Sequence, residues 1–427
     1  MLNEDVVITA AGLLTPMGIG IEENLKNLFL GEKPFLKVKD LPEERIGPVT
    51  MYVGKVPGFK VTNYVKNKKV FKYTPRLSQL GLAACRLALD MVGIDNKMEN
   101  PSSVGLFCSG VGSGGEAVFF GGASDDVKDG FLRAWDEERN VLDSHKFGRD
   151  GLKYINPLFF LKSLPNNAFY HMSLLHDIKG DNNTIFASFM SGMISIGRSF
   201  VSLKESRAVK ALAGGFDEST MAGQTFMFKN LGFSGISMHV PYKEVPSTVP
   251  SEGASLLMLE KESLCNKSNA LARVLGYAHM MIPKHPFLPD KEGQGLVWST
   301  NMAVKQAGVS LEDVDVVILD GIGEPHYDAS ELNAYRTLFG NLSKKPLATT
   351  FKPMVGLSGA ASSAIDVALG ALCLKEGKFP PVCGLTSWSD TEVPLIVGDT
   401  QNLDAKHIIV WSRGLFGLSG CMVLGRA

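Results

Sequence analysis

Apolar and polar positions follow one another along the chain in blocks of two kinds. Short, continuous apolar runs predict buried strands. The predicted strands are Val6–Thr9, Val104–Cys108, Thr184–Ala187, Val209–Gly215 with its turn, Ala254–Leu259, Ala272–Tyr277, Val314–Leu319, His407–Trp411 and Cys421–Leu424. Longer segments, in which apolar residues recur at helical spacing, predict helices. The predicted helices are Ile21–Leu30, Ser78–Val92, Ser191–Leu203, Leu296–Ala307, Ser330–Phe339 and Ser362–Leu374.

The alternation of strands with helices indicates an α/β protein whose sheets are covered by helices. Residues 31–70 and 123–153 are polar and predict external segments. The pattern of the first half returns in the second, which predicts two similar halves, 1–250 and 251–427. Because no linker-like composition separates these halves, we expect one compact body.

Charge and cysteine content exclude several classes of protein. The 43 basic and 44 acidic residues give a net charge of −1, so the chain lacks the basic excess of nucleic-acid or membrane-surface proteins. Neither a signal peptide nor a membrane-spanning run is recognisable. None of the six cysteines has the spacing of a metal site, and their density does not suggest a disulfide framework. We therefore expect a cytoplasmic protein with reduced thiols and no cofactor, metal, nucleic-acid partner or membrane contact.

Glycines after the predicted strand Val104–Cys108 form the pattern Gly110-x-Gly112-x-Gly114-Gly115. Such a pattern suggests a dinucleotide loop when a helix follows it. Here Phe119-Phe120-Gly121-Gly122 interrupts the chain instead. A tight backbone corner is the better interpretation of these glycines.

Several segments, in their order along the chain, resemble the β-ketoacyl synthases of fatty-acid and type II polyketide assembly. They are Val7–Gly18, Ser78–Ala84, Leu164–Asn167, Lys179–Asn182, Ala213–Gly215, Pro241-Tyr242, Ser251–Ser255, Lys352–Gly356 and Arg413–Gly417. The resemblance spans nearly the whole chain. It implies the thiolase fold, with αβαβα layers, two duplicated halves and mixed sheets covered by helices.

The chemistry of that family requires a nucleophilic Cys at a helix N-terminus and two His residues. The Cys motif falls on Ala187–Met193, and Phe189 occupies the Cys position. The first His motif falls on Asp320–Pro325 and places Asp320 at the His position, where a carboxylate would repel a malonyl group. The second falls on Lys352–Leu357 and places Leu357 at the His position. No member of the expected catalytic set is intact.

The lysine of the second His motif, Lys352, is retained. We expect a structural role for it, through pairing with Asp320 or Glu324. His326 lies off the motif position and is interpreted as a loop histidine or as one that only supports residues of the site. Ser188 and Ser191 flank Phe189 without a recognisable His partner, and all six cysteines lie outside nucleophile-like contexts.

This combination resembles the chain-length factors, which are the β-subunits of type II polyketide ketosynthases. The resemblance implies a heterodimer with a catalytic ketosynthase, an acyl carrier protein as second partner, and a role in shaping the shared acyl tunnel. It also implies a candidate tunnel gate, which is Glu116, Ala117, Val118, Phe119 and Phe120. The site loop is Gly414, Leu415, Phe416 and Gly417. Chain-length factors commonly carry Gln where this chain has Phe189. This departure speaks against the aromatic actinomycete-type group and against a Gln-dependent decarboxylase role. A more divergent class stays open, such as the partner subunits of polyene or aryl-polyene systems, which would help to set the chain length of the product.

Two alternatives remain at the level of sequence. The chain could be a divergent condensing enzyme or acyltransferase that uses Ser188 or Ser191 as an unfamiliar nucleophile. It could also be a homodimeric pseudo-enzyme that binds an acyl chain or a carrier protein. Phe119 and Phe120 likewise have two interpretations, as a gate or as packing residues of a dimer core.

Overall fold

A computed structural model describes residues 4–38, 51–95, 97–110, 125–155, 157–162, 164, 166–220, 228–233 and 238–427. These residues form a large mixed sheet with helices on its faces and between its two parts. The α/β class predicted from the sequence is confirmed. The gate residues Glu116, Ala117, Val118, Phe119 and Phe120 lie outside the described residues.

The strands of the described chain are numbered in chain order. They are β1 (Val6–Thr15), β2 (Gly18–Ile19), β3 (Leu36–Val38), β4 (Met51–Val53), β5 (Val104–Ser109), β6 (Trp135–Asp136), β7 (Val141–Leu142), β8 (Asn182–Thr184), β9 (Lys210–Glu218), β10 (Glu252–Lys261), β11 (Ala272–Met281), β12 (Val316–Ile318), β13 (Leu347–Thr349), β14 (Lys378–Phe379), β15 (Gln401–Asn402), β16 (His407–Arg413) and β17 (Leu418–Gly425).

The α-helices are numbered in the same way. They are α1 (Ile21–Leu30), α2 (Arg76–Met91), α3 (Asp125–Ala134), α4 (Ser144–Lys146), α5 (Phe159–Lys162), α6 (Asn167–His176), α7 (Ser191–Lys204), α8 (Gln294–Ala307), α9 (Pro325–Phe339), α10 (Lys352–Val355) and α11 (Ser362–Glu376). Short 3-10 turns and one π turn, Phe147–Gly151, connect some of them. Among the described helices, none has the length and apolar content needed to cross a bilayer.

Most predicted elements are present, although α9 begins at Pro325 and not at Ser330, and several helices and short strands, among them α3 and α6, were not predicted. The strand predicted at Thr184–Ala187 is observed as β8, two residues earlier. The strand β13 was not predicted, because three residues are too short to show a periodic pattern. Within the external segment 31–70, β3 and β4 pair as a small hairpin.

The main sheet repeats one strand order in its two parts. The neighbours along it are β13-β12-β16-β17-β11-β1-β10-β9-β5-β8. The first part contains β1, β5, β8, β9 and β10, and the second contains β11, β12, β13, β16 and β17. When the strands of each part are numbered from one to five in chain order, both parts have the order three, two, four, five, one from the outer edge inward. The innermost strands, β1 and β11, pair with each other. The division at residue 250 stays a prediction; it falls just before β10, the last strand to join the first part.

Helices α7 and α11 form the middle of the structure. All residues of α11 from Ser362 to Leu374 are buried, as expected of a helix that is apolar around its circumference. The two helices touch at Gly192, where an added Cβ would lie 2.7 Å from the Cβ of Ala364. The Met193 N–H donates to Ser363 Oγ at 2.9 Å. This contact fixes the N-terminus of α7 relative to the second half of the chain.

The contact between β1 and α2 depends on Gly12. A Cβ at this position would lie 1.8 Å from the carbonyl oxygen of Ala84 in α2. We predict that Gly12→Ala lowers the free energy of unfolding by about 1–3 kcal/mol or more, because neither backbone can move away. The matched control is Gly148→Ala, whose Cβ would meet no atom within 4 Å. Equal urea midpoints for the two variants would contradict the prediction.

Candidate functional site

The segment before α7 brings Phe189 to the N-terminus of that helix. Ser188 adopts a left-handed backbone conformation, with φ of 53°, so that the chain turns sharply there. Ser191 Oγ accepts the Ala187 N–H at 2.8 Å and donates to the Ser188 carbonyl at 2.7 Å. The turn therefore aims the Phe189 side chain into the protein, where only 6% of the residue stays exposed.

Phe189 belongs to an apolar cluster. Its ring stacks on Phe228 with centroids 5.8 Å apart and meets Phe233 edge-on at 6.3 Å. The same cluster contains Leu357, which is fully buried, and Tyr327. The predicted nucleophile position and the second predicted His position thus come together, and both carry apolar side chains. The arrangement resembles a packed core.

Asp320, at the first predicted His position, belongs to a buried ionic group. Lys352 Nζ lies 3.2 Å from Asp320 Oδ1 and also contacts the Asp366 carboxylate. All three side chains are at most 1% exposed. Asp320 Oδ2 accepts the Arg413 N–H at 2.8 Å. Of the two predicted partners of Lys352, Asp320 is therefore the observed one.

Glu324, the other predicted partner of Lys352, instead caps α9. Its carboxylate accepts the Tyr327 N–H at 2.9 Å and contacts His326 Nδ1 at 2.8 Å. The prediction that Glu324 pairs with Lys352 is wrong, because the cap turns this side chain toward the start of its own helix. His326 is 68% exposed at its side chain, and it lies in the first turn of α9 and not in a loop as predicted.

Further buried charges surround the ionic group. Glu331 accepts the Asp320 and Gly321 N–H groups at 2.7 and 3.1 Å, and burial raises its pKa. Asp328 accepts the Tyr242 N–H at 2.7 Å, and burial raises the pKa of Asp328 to about 7. The Arg413 guanidinium lies 4.9 Å from the Tyr327 ring centroid. Its charge opposes the effect of burial on both carboxyl groups.

The predicted site loop closes over the apolar cluster. The Leu415 N–H donates to Ser188 Oγ at 3.3 Å, while the Leu415 side chain packs against the cluster. Phe416 is 51% exposed and has φ of 63°, which is unusual for a bulky residue. A cavity of about 340 Å³ remains between this loop and Phe189.

Other candidate nucleophiles are occupied by structural roles. Ser188 and Ser191 both hydrogen-bond the backbone, as described above. Four cysteines are buried, and burial raises the pKa of the Cys85 and Cys421 thiols to about 12 and of Cys108 and Cys373 still further. A thiolate, the reactive form, is therefore disfavoured at all four positions.

Two buried charged residues, Asp366 of the ionic group and Arg413 beside it, were not assigned a charge role from the sequence. Asp366 is the one charged residue in the otherwise apolar and small-residue stretch from Ser362 to Leu374. A lone charge in such a helix is a signal for a buried ion pair, and it could have been used. Arg413 adjoins the glycine-rich site loop, where nothing in the local pattern indicates burial.

Two models of protein families match the chain. The model of the β-ketoacyl synthase N-terminal domain matches residues 3–264, and that of the C-terminal domain matches residues 271–386. The chain belongs to the β-ketoacyl synthase family. The resemblance stated from the motifs is confirmed.

Relatives and solved structures agree with this family. The 3-oxoacyl-[acyl-carrier-protein] synthase 2 of Staphylococcus aureus strain COL is 23% identical over 431 residues, which cover 99% of this chain and 98% of that protein. The ishigamide ketosynthase/chain length factor has a TM-score of 0.85 at 21% identity, with full coverage of both chains. The type II polyketide synthase complex AntDE:AntF, an acyl-carrier protein with its ketosynthase bound to the hexaketide, has a TM-score of 0.83 at 19% identity over 99% of this chain and 100% of that one. At these identities the structures show the thiolase fold.

Breaking the ionic group should cost more stability than breaking a surface pair. We predict that Lys352→Met, which leaves Asp320 and Asp366 buried without their cation, lowers the free energy of unfolding by about 3–5 kcal/mol at pH 8. The control is Lys344→Met, which removes an exposed pair with Asp315 at 3.5 Å. Thermal and urea midpoints measure both variants. Similar losses in the two variants would contradict a buried ionic group.

The stability loss caused by Lys352→Met should depend on pH in a defined direction. Burial raises the pKa of Asp366 to about 7, against about 3.9 in an unfolded chain. The folded state thus binds a proton more readily than the unfolded state between about pH 4 and 7, so this carboxyl lowers stability as pH rises through that window. Without Lys352, ionised Asp366 is costlier. The loss caused by Lys352→Met should therefore be smaller at pH 5.5 than at pH 8, and Lys352→Met/Asp366→Asn should recover part of it.

Proposed function

We propose that this chain is a non-elongating ketosynthase-like subunit, a chain-length factor, that pairs with a catalytic ketosynthase and shapes the acyl tunnel they share. The observation that carries the proposal is the cluster of Phe189, Leu357, Phe228 and Phe233. By the motif resemblance, Phe189 and Leu357 stand where a condensing enzyme of this family needs a thiolate and an imidazole. A benzyl group forms no thioester, and Asp320 is held by Lys352 and the Arg413 backbone.

The two edges of the main sheet differ, and this difference supports a protein partner. The outer edge of β13 is covered, since the Ala348 N–H donates to the Pro394 carbonyl and the Ala348 carbonyl accepts the Ile396 N–H, at 3.0 and 2.8 Å. At the corresponding other end, no described residue bridges to the outer edge of β8. The unpaired N–H and C=O groups of an open edge strand can form hydrogen bonds with a strand of another chain. We infer that a partner subunit completes the sheet at β8.

The alternation of hydrogen bonds identifies the groups of β8 that remain for this partner. Toward β5, the Leu106 N–H donates to the Asp181 carbonyl at 2.9 Å, and the Ile185 N–H donates to the Cys108 carbonyl at 3.3 Å. In a parallel ladder the intervening residues point their backbone groups the other way. Asn182 and Thr184 therefore face the open edge. Beyond them, Phe186 is 52% exposed and offers apolar area beside that edge.

The proposed assembly includes a carrier protein, because a ketosynthase partner receives its acyl chains on one. The AntDE:AntF structure contains an acyl-carrier protein with its ketosynthase, and its fold matches this chain throughout. The soluble partners proposed here agree with the absence of a membrane-crossing helix among the described residues. A cytoplasmic location belongs to the same proposal.

Co-expression with an intact Cys-His-His ketosynthase from the same genome tests the proposal. We expect the two chains to purify at equal stoichiometry and to elongate carrier-bound acyl chains only together. Thr184→Pro should abolish co-purification, because proline removes an N–H at the open edge, while the thermal midpoint of the isolated chain changes little. Ser188→Ala should leave elongation unchanged. Acyl labelling of this chain that requires Ser188 or Ser191, or a stable homodimer that ignores the ketosynthase, would overturn the proposal.

The proposed gate has its own test in that complex. Replacing both Phe119 and Phe120 with Ala removes two large side chains from the segment that the family resemblance places at the tunnel. We predict longer acyl products, because smaller side chains at the end of the tunnel leave room for more extension units. The control is Phe131→Ala, a change of the same kind at an exposed phenylalanine of α3. Products of unchanged length from a complex that still assembles would count against a gate.

A further inference from the structure

Helix α7 exposes one residue of its first ten, Arg198, and this residue lies beside the open edge strand. Helix α7 runs antiparallel to the segment 181–187, which contains β8, and two hydrogen bonds connect them. Ser191 Oγ accepts the Ala187 N–H at the start of the helix, and Ser202 Oγ donates to Asp181 Oδ2 at 2.7 Å near its end. Arg198 is about 10 Å along the helix from Ser191. Three strand residues span about the same length, so Arg198 is level with Thr184.

Arg198 lies near two other polar side chains, Tyr277 and His279, but lacks a partner of opposite charge among the described residues. The ring of Tyr277 lies against α7, since a Cβ at Gly197 would be 2.2 Å from it. The Tyr277 hydroxyl and His279 Nδ1 are 2.9 Å apart. Burial raises the pKa of Tyr277 and lowers that of His279, and the positive charge of Arg198 lowers both. The Tyr277 N–H donates to Gln306 Oε1 at 2.8 Å, which fixes the strand. Arg198 itself has no carboxylate or other acceptor among the described residues.

The neighbouring charges of this face are already paired. Arg207 contacts both Asp181 and Glu205, and Lys204 lies 3.9 Å from Asp5. Arg198 is thus an uncompensated cation, and its guanidinium is suited to a bidentate contact with a carboxylate. We propose that Arg198 selects the partner subunit: it binds a carboxylate on the edge-strand face of the catalytic ketosynthase and disfavours pairing with a second copy of this chain. This inference rests on the proposed heterodimer.

Symmetry explains the discrimination against a second copy. Two identical chains that pair through the same edge do so about a two-fold axis, which brings equal positions near the axis together. With β8 paired along its three residues, the axis passes close to Asn183, and each Arg198 approaches the other. Two unpaired guanidinium groups repel, whereas a ketosynthase with an acidic residue at this place attracts. One residue therefore acts for the heterodimer and against the homodimer.

Charge substitution in the complex tests the first half of the proposal. We expect Arg198→Glu to weaken binding of the Cys-His-His ketosynthase by at least about tenfold and Arg198→Lys by much less, because Lys keeps the charge but not the planar fork. Lys26→Glu, an exposed cation on α1, is the matched control and should leave the Kd unchanged. Higher salt should weaken the wild-type complex but not that of Arg198→Met. An unchanged Kd for Arg198→Glu would overturn the inference.

Mixing two forms of this chain tests the second half. Wild-type chain carrying one tag and the Arg198→Glu variant carrying another should capture each other more than wild type captures wild type, because opposite charges then meet at the axis. Wild-type self-capture as strong as mixed capture would contradict the inference. If the wild-type chain fails to bind any ketosynthase, the proposed function fails, whereas binding that ignores residue 198 overturns only the role of Arg198.

Discussion

The packing of α7 against α11 is the constraint on which the rest of the structure depends. Both helices are buried nearly all round, and they meet where Gly192 leaves room for Ala364. Because the backbones are in contact, the N-terminus of α7 has one possible place. The turn through Ser188 follows from that place, and so does the direction of the Phe189 side chain. The same two helices separate the two parts of the sheet, so a change at their contact would move the site and the sheet together.

Of the three positions that the motifs predict for the catalytic residues, two carry apolar side chains in one packed cluster, and the third belongs to a buried ionic group. The replacements agree with one another physically. Phe189 and Leu357 share an apolar cluster, so neither leaves an unsatisfied polar group. Lys352 stays charged in the interior, since the attraction of Asp366 and Asp320 raises its pKa against the effect of burial. A single loss, such as an apolar side chain beside an intact histidine, would leave a polar group without its partner. The apolar positions are therefore compatible with one another, while the buried Arg413 guanidinium beside them has no hydrogen-bond partner among the described residues.

The sequence was sufficient for the class of fold and for most of the long helices, because each has a local pattern. That Phe189, Asp320 and Leu357 occupy the catalytic positions of the family stays a prediction. The bounds of α1 were predicted without error, since ten residues show the helical period clearly. It was not sufficient for β13 or for the true position of β8, whose three residues carry no period. Nor did it identify Asp366 and Arg413 as neighbours of Asp320, since 46 and 93 positions of chain separate them from it. Pairings of that kind arise from the sheet order, which no local pattern contains.

The two edges of the sheet differ in how their outer strands are covered. Equal strand orders in the two parts would give equal edges, yet the segment that covers β13 has no counterpart among the described residues at β8. A chain that folds alone has no reason to protect one edge and leave the other beside exposed Phe186 and unpaired Arg198. The asymmetry is explained if a second subunit supplies what the first part lacks. Under the proposed heterodimer, the apolar interior and the open edge would have one cause: the chain would keep the scaffold of a condensing enzyme for its surface, while its partner carries out the chemistry.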